Sequence, residues 1–176
     1  MKRRLWYQSL LTTALLLLGS TSSLAQSAST AETQSIDAIL TATYDAISGA
    51  AGEKRDWDRF RSLFAEGATL SFISQGQDGN PNRTVITPAS YIERSGTSLK
   101  ADGFFEIEIH RQSERFGNIA HVFSTYESRR EKSDPQAFAR GINSFQLMFD
   151  GSRWYVVSIY WQAESSQSLI PAAYLP

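Results

Sequence analysis

The sequence of 176 residues contains no cysteine, and its 17 basic and 18 acidic side chains give a formal net charge of −1. The absence of cysteine excludes disulfides and a lipoprotein anchor. Because nucleic acids and anionic membranes favour a basic surface, we expect neither as a partner. No motif predicts a cofactor, and we expect none.

The first 25 residues are typical of a secretory signal peptide, with a basic start, an apolar stretch at residues 10–18 and a small-x-small cleavage site at residues 23–25. The apolar stretch is shorter than the roughly 20 residues of a membrane span. Cleavage removes three basic side chains, Lys2, Arg3 and Arg4, which leaves 14 basic and 18 acidic side chains and a net charge of −4. We therefore expect an exported protein, periplasmic or extracellular, with no membrane attachment after cleavage.

The mature chain is long enough for one domain. Residues 26–34 predict a flexible leader, residues 35–164 a single domain and residues 165–176 an irregular C-terminal strap. Helical spacing of apolar residues predicts helices that begin after the capping residues Ser35, Asp56 and Thr87. Alternation then predicts strands at residues 68–73, 84–86, 104–113, 119–130, 138–149 and 154–163. Helices followed by antiparallel strands indicate an α+β fold.

Four motifs carry a family resemblance: DWDRF at residues 56–60, LFAEGA at 63–68, FGNIAHV at 116–122 and DGSRWYVV at 150–157. Over about residues 36–162, the chain resembles the NTF2-like superfamily, which includes the SnoaL-like and ketosteroid isomerase-like proteins, and among these the secreted bacterial members of unassigned function. The resemblance implies a cone-shaped fold, with about three N-terminal helices on a curved, mainly antiparallel sheet around a ligand cavity. It implies no single activity, because this fold carries both enzymes and non-enzymes.

Strand pairing predicts which side chains face the cavity. A turn at residues 116–117 sets Arg111 opposite Val122, and a turn at residues 134–135 sets Asn143 opposite Tyr126. The orientation of the last strand stays open, since one residue more or less in its turn inverts it. The polar candidates for ligand binding on the cavity face are Tyr44, Arg111, Ser124, Tyr126 and Asn143. The alternative is that Tyr44 and Tyr126 are core aromatics with satisfied hydroxyls and that Asn143 pairs with backbone.

The resemblance to ketosteroid isomerases implies a role for two of these residues. Tyr44 falls where those enzymes hold the oxyanion-hole tyrosine, and Asn143 falls where they hold a protonated aspartic acid. Their general base would lie near the end of the first strand, where residues 71–73 of this chain read Ser-Phe-Ile. Without a carboxylate at that place, we expect no proton abstraction by that route.

The same pairing places Glu106 and Glu108 on the opposite, outer face of the sheet, together with His110, His121 and Phe123. The two histidines lack a recognised metal-ligand spacing, so we expect no metal site. We expect this face to form a homodimer contact.

The sequence thus favours an exported domain that binds a small, largely apolar ligand in a cone-shaped cavity, without established chemistry. One open alternative is an isomerase or cyclase acting on a carbonyl-containing hydrophobic substrate, held by Tyr44, Tyr126 and Asn143 with Arg111 or a histidine as base. The other is a structural module that dimerises through its outer sheet face.

Overall fold

The fold is described from a computed structural model for residues 27–76 and 78–176. The predicted signal peptide lies outside these residues. We expected a flexible leader up to residue 34, whereas residues 30–33 form a short 3-10 helix. Arg59 donates a 2.7 Å hydrogen bond to Glu32 in this helix, and the amide of Ala28 donates to the hydroxyl of Ser62 at 2.7 Å. This part of the segment therefore packs against the second α-helix.

The three α-helices are α1 at Ile36–Ile47, α2 at Trp57–Ser62 and α3 at Pro88–Asp102. Each begins at its predicted cap: the side chains of Ser35, Asp56 and Thr87 accept a hydrogen bond from the backbone N–H three residues later. Within residues 27–76 and 78–176, no helix combines the length and apolar character needed to cross a membrane.

Six strands form one mixed sheet in the order β2-β1-β6-β5-β4-β3. The strands are β1 at Phe64–Gln75, β2 at Pro81–Ile86, β3 at Phe105–Phe116, β4 at Ile119–Arg129, β5 at Ala139–Phe149 and β6 at Trp154–Ala163. β1 and β6 run parallel, and the other neighbouring strands run antiparallel. The predicted α+β class with a mainly antiparallel sheet is confirmed.

The main core lies between the helices and the inner face of the sheet. Ile39 and Leu40 of α1 and Phe60 of α2 are buried there with Val122 of β4 and Phe145 of β5. This apolar contact fixes α1 across the inner face, because burying such side chains is the main favourable term in folding. The helices thereby roof the inner face of the sheet.

A bulge in β3 changes the predicted assignment of its faces. Arg111 pairs with Ser124, two residues from its predicted partner, and the register shifts at residue 109. Because an extra residue inverts the alternation of a strand, Arg111 keeps its predicted face while Glu106 and Glu108 turn to the same inner face. Glu106 contacts Asn143 there, and Glu108 contacts Ser124. The predicted outer-face position of both glutamates is therefore wrong.

A second bulge settles the orientation of the last strand, which the sequence left open. The register of β5 and β6 shifts between Gln146 and Leu147. Trp154, Val156 and Ile159 are consequently all buried on the inner face, although they do not share one alternation. In β5, Asn143 pairs with Ser124 instead of Tyr126, and it keeps the predicted inner face.

Residues 165–176 form a strap over the outer face of the sheet. The hydroxyl of Thr125 donates a 2.7 Å hydrogen bond to the carbonyl of Tyr174. The ring of Tyr174 packs edge-on against Phe123, with 5.0 Å between centroids. The amide of Ile170 donates to Glu164 at 3.0 Å, and the Ile170 side chain is buried. The strap therefore covers part of the face that we expected to form a dimer contact.

Candidate functional site

A cavity of about 330 Å³ lies between α1, α3 and the inner face of the sheet. Most of its wall is apolar, with side chains that include Ile47, Leu70, Leu99, Phe145, Ile159 and Trp161. Polar groups reach it from both layers: Tyr44, Tyr91, Glu106, Tyr126, Ser128 and Asn143. An apolar cavity with a few convergent polar groups is the usual form of a small-molecule site.

Three of the five predicted ligand-binding residues, Tyr44, Tyr126 and Asn143, line this cavity. Ser124 does not, because it is fully buried behind the hydroxyl of Tyr44. Arg111 lies away from the cavity in an ion pair with Glu108, and it also contacts the exposed Asp37. The structure thus brings Tyr44, Tyr126 and Asn143 together at the cavity. Arg111 and Ser124 do not line it.

The sequence reasoning missed the carboxyl group of the cavity, Glu106. Its Oε1 accepts a 3.1 Å hydrogen bond from the amide of Asn143, and its Oε2 accepts one of 3.3 Å from the hydroxyl of Ser128. Among the described residues, no basic side chain forms an ion pair with it. Burial raises the pKa of Glu106 to about 7, although the two hydrogen bonds lower it. The carboxyl is therefore poised to exchange a proton near neutral pH.

A chain of hydrogen bonds runs from Glu106 to the second glutamate of β3. Asn143 donates to the hydroxyl of Tyr44 at 3.2 Å, and that hydroxyl lies 2.7 Å from the hydroxyl of Ser124. Ser124 in turn donates to Glu108 at 2.5 Å. Since the one hydrogen of Ser124 goes to Glu108, Tyr44 must be the donor in its contact with Ser124.

This chain leaves Tyr44 and Asn143 without a free hydrogen for a ligand. The hydroxyl hydrogen of Tyr44 goes to Ser124, and the two amide hydrogens of Asn143 go to Glu106 and Tyr44. Both residues therefore line the cavity without acting as the pair of donors that the ketosteroid isomerase resemblance implies. Burial raises the pKa of Tyr44 far above its ordinary value, which keeps the hydroxyl protonated.

Two other tyrosines supply hydroxyl groups to the cavity. Among the described residues, neither Tyr91 nor Tyr126 has a hydrogen-bond partner for its hydroxyl, and both line the cavity. Burial and the nearby charge of Glu106 raise the pKa of both tyrosines, so they are neutral donors. The sequence holds a signal for Tyr91 that we did not use: it shares a helix face with Ser95 and Leu99, four and eight residues later.

The residues predicted for a dimer contact occupy the outer face, as expected. His121 lies 2.8 Å from the amide of Gln146, Phe123 packs under Tyr174, and the buried Nε2 of His110 has no partner among the described residues. In residues 27–76 and 78–176, no three His, Cys, Asp or Glu side chains cluster in a way that would hold a metal ion.

Neither a known family model nor a curated protein matches this sequence. Solved structures do match. An NTF2-like protein from Streptomyces avermitilis, proposed to be a dehydratase, superposes with a TM-score of 0.53 at 14% identity, over 76% of this chain and 96% of that one. The β subunit of a proposed aromatic-ring-hydroxylating dioxygenase from Novosphingobium aromaticivorans gives 0.55 at 10% identity, over 76% and 89%. A protein of unknown function with a cystatin-like fold from Nostoc punctiforme gives 0.54 at 12% identity, over 74% and 90%.

At these identities the likeness shows the fold alone. This chain has the NTF2-like fold, which confirms the fold that the sequence resemblance implied. The fold carries many functions, so the function has to be argued from the cavity.

Proposed function

We propose that this protein binds a small, largely apolar molecule with a carbonyl group in the cavity and that Glu106 transfers a proton to or from it. The observation that carries the proposal is a carboxyl group without an ion pair among the described residues, at the wall of an apolar cavity where burial raises its pKa to about 7. A general base works best when its pKa is near the operating pH. Glu106 thus supplies the carboxylate that the first strand lacks.

The chemistry uses the groups that remain free. The ionised Glu106 takes a proton from the carbon next to the ligand carbonyl, and the electron pair of that C–H bond moves to the carbonyl oxygen. The hydroxyls of Tyr91 and Tyr126 donate hydrogen bonds to the resulting oxyanion. If Glu106 returns the proton to another carbon, the reaction is an isomerisation. If a hydroxide leaves from the carbon beyond the deprotonated one and Glu106 gives it the proton to form water, the reaction is a dehydration.

The cavity also limits the ligand. Its volume of about 330 Å³ lies at the lower end of the range for small-molecule pockets, about 300–1,000 Å³. A partly buried carboxylate that forms no ion pair with the described residues disfavours an anionic ligand. We therefore expect a compact, neutral ligand.

Exchange of solvent deuterium tests the proposal without knowledge of the natural ligand. A panel of cyclic ketones, terpenoid enones and polyketide-like aromatics in D₂O is followed by NMR with the wild type, Glu106→Gln, Tyr126→Phe and the control Glu114→Gln, an exposed glutamate of the same strand. We expect deuterium at the carbon next to the carbonyl with the wild type and the control. The rate with Glu106→Gln falls at least about 100-fold, and the rate with Tyr126→Phe falls less.

Exchange that persists with Glu106→Gln would overturn the role of Glu106. Binding without exchange would leave the simpler function, a ligand-binding domain. Thermal shifts measured with the same panel separate this outcome from an absence of binding. A panel that gives neither shift nor exchange with the wild type counts against both.

We also propose that the protein is exported and forms a homodimer through its outer sheet face. Met148, Val157 and Tyr160 are large apolar side chains that remain partly exposed, although the strap already covers Phe123. Light scattering on the mature chain tests this, with Tyr160→Arg as the disrupting variant. A monomeric wild type would contradict the dimer.

A further inference from the structure

We propose that Glu108, held by Arg111, is a positioning residue that turns the amide N–H₂ of Asn143 toward Glu106 through Ser124 and Tyr44. The biological meaning of this inference rests on the proposed role of Glu106, but its test does not require a ligand. It assigns a function to an ion pair that lies outside the cavity.

The ion pair between Glu108 and Arg111 fixes one end of this series of hydrogen bonds. Arg111 donates to both oxygens of Glu108, with Nε at 3.0 and 2.9 Å, and its Nη2 contacts Oε2 as well. In this forked ion pair the carboxylate of Glu108 only accepts hydrogen bonds. Ser124 must therefore donate its hydrogen to Glu108.

This contact then sets the donor and acceptor roles of the next groups, one after another, toward the cavity. With its hydrogen given to Glu108, Ser124 can only accept from Tyr44. With its hydrogen given to Ser124, Tyr44 can only accept from Asn143. The amide nitrogen of Asn143 must consequently face both Tyr44 and Glu106. All the groups between the two glutamates are buried, with exposed fractions of 6% for Tyr44, 0% for Ser124 and 6% for Asn143.

Replacing Glu108 by a neutral glutamine allows the donor and acceptor roles in this series to reverse. The amide of a glutamine can donate to Ser124, which frees the hydrogen of Ser124 for Tyr44 and that of Tyr44 for Asn143. Asn143 then turns its carbonyl oxygen toward Glu106. A carbonyl oxygen favours the protonated carboxyl and an N–H₂ favours the carboxylate, so the pKa of Glu106 rises.

Direct electrostatics predicts the opposite sign. The other titratable or charged groups near Glu106 are Tyr44 and Asp45 from α1, Tyr91 from α3, Tyr126 from β4, Lys132 from the β4–β5 connection, and the Glu108–Arg111 pair on its own strand. Removing the negative charge of Glu108 leaves Arg111 closer to unpaired. Both changes favour the ionised form of Glu106 and lower its pKa.

The experiment is an NMR titration of Glu106 in the ligand-free protein with ¹³C-labelled glutamate side chains. We expect Glu108→Gln to raise the pKa of Glu106 by about half a unit to one unit, the equivalent of one hydrogen bond. Ser124→Ala breaks the chain while both charges stay, and it should raise the pKa similarly. In the Ser124→Ala background, Glu108→Gln should lower the pKa, and the control Glu114→Gln should not change it.

A lower pKa in Glu108→Gln alone would overturn the inference, as would an equal rise in the presence and absence of Ser124. If Glu108→Gln does not fold, Ser124→Ala decides by itself, and an unchanged pKa contradicts the chain. Each result is distinct from a failure of the proposed function, which is read from deuterium exchange in the protein with intact Glu108.

Discussion

Two glutamates of β3, two residues apart and on the same face, lie in opposite surroundings. Glu106 borders the apolar cavity and accepts hydrogen bonds from neutral groups only, Asn143 and Ser128. Glu108 does not line this cavity and forms an ion pair with Arg111. Glu106 can thus exchange a proton near neutral pH, whereas Glu108 is held in an ion pair, because Arg111 pairs with Glu108 and not with Glu106.

The bulge at residue 109 makes this comparison possible. It lets one strand direct two glutamates and an arginine, Arg111, to the same face within six residues. The Glu108–Arg111 ion pair lies outside the cavity, and the carboxyl of Glu106 lines it. Bulges often re-aim side chains in this way near functional sites.

The first prediction removes the carboxyl of the cavity. Folded protein holds the Glu106 proton up to a pH of about 7, whereas an ordinary glutamate loses it near 4.5. The stability from this group is therefore complete below pH 4.5 and is lost as the pH rises through 7. We compare the unfolding free energy of Glu106→Gln with that of the wild type. We expect this difference to change in favour of the variant by on the order of 3 kcal/mol between pH 4.5 and 8.

Urea unfolding of both proteins across this pH range measures the gain. The control Glu114→Gln should follow the wild type. A difference that does not vary with pH would show that Glu106 titrates normally.

The second prediction concerns the removal of Arg111, the ion-pair partner of Glu108. The side chains of Arg111 and Glu108 are 23% and 17% exposed, so breaking the pair costs less than it would in a dry core. We expect Arg111→Met to lower the unfolding free energy by about 2 kcal/mol at pH 8. Urea unfolding checks this against Arg61→Met, which removes an exposed ion pair and should cost less than about 0.5 kcal/mol. Equal losses would contradict the special role of Arg111.

The smallest effect concerns Asp37, the outer partner of Arg111. Its side chain is 86% exposed, and pairs of this kind contribute about 0–1 kcal/mol. We expect Asp37→Asn to change the unfolding free energy by less than about 0.5 kcal/mol and to leave the titration of Glu106 unchanged. A larger loss would mean that the ion pair depends on this surface contact.

Most of the fold could be predicted from the sequence, because the strongest sequence signals are local. The caps Ser35 and Thr87 and the alternation within each strand depend on neighbouring residues, and they predicted helices and strands correctly. Tyr44, Tyr126 and Asn143 line the cavity. For the two strand residues this held in spite of a pairing error, because an error of two residues keeps a side chain on its face.

The carboxyl of the site was missed because of the bulge in β3, which no local sequence signal predicts. In β3, Phe105, Ile107 and Ile109 alternate as if they belonged to the core, so uninterrupted alternation turned Glu106 outward. The bulge instead turns Glu106 inward, where Asn143 and Ser128 from two other strands satisfy it. That stabilisation depends on contacts between residues more than 20 positions apart, which periodicity cannot reveal.

The most direct test of the central claim is the NMR titration of Glu106 in the wild-type protein. The ¹³C signal of its carboxyl is assigned by its loss in Glu106→Gln and followed from pH 3 to 9. We predict a midpoint of about 7. A midpoint near the ordinary value of 4.5 would contradict the account, because the carboxyl of the cavity would then be fully ionised near neutral pH and would hold no proton to exchange there.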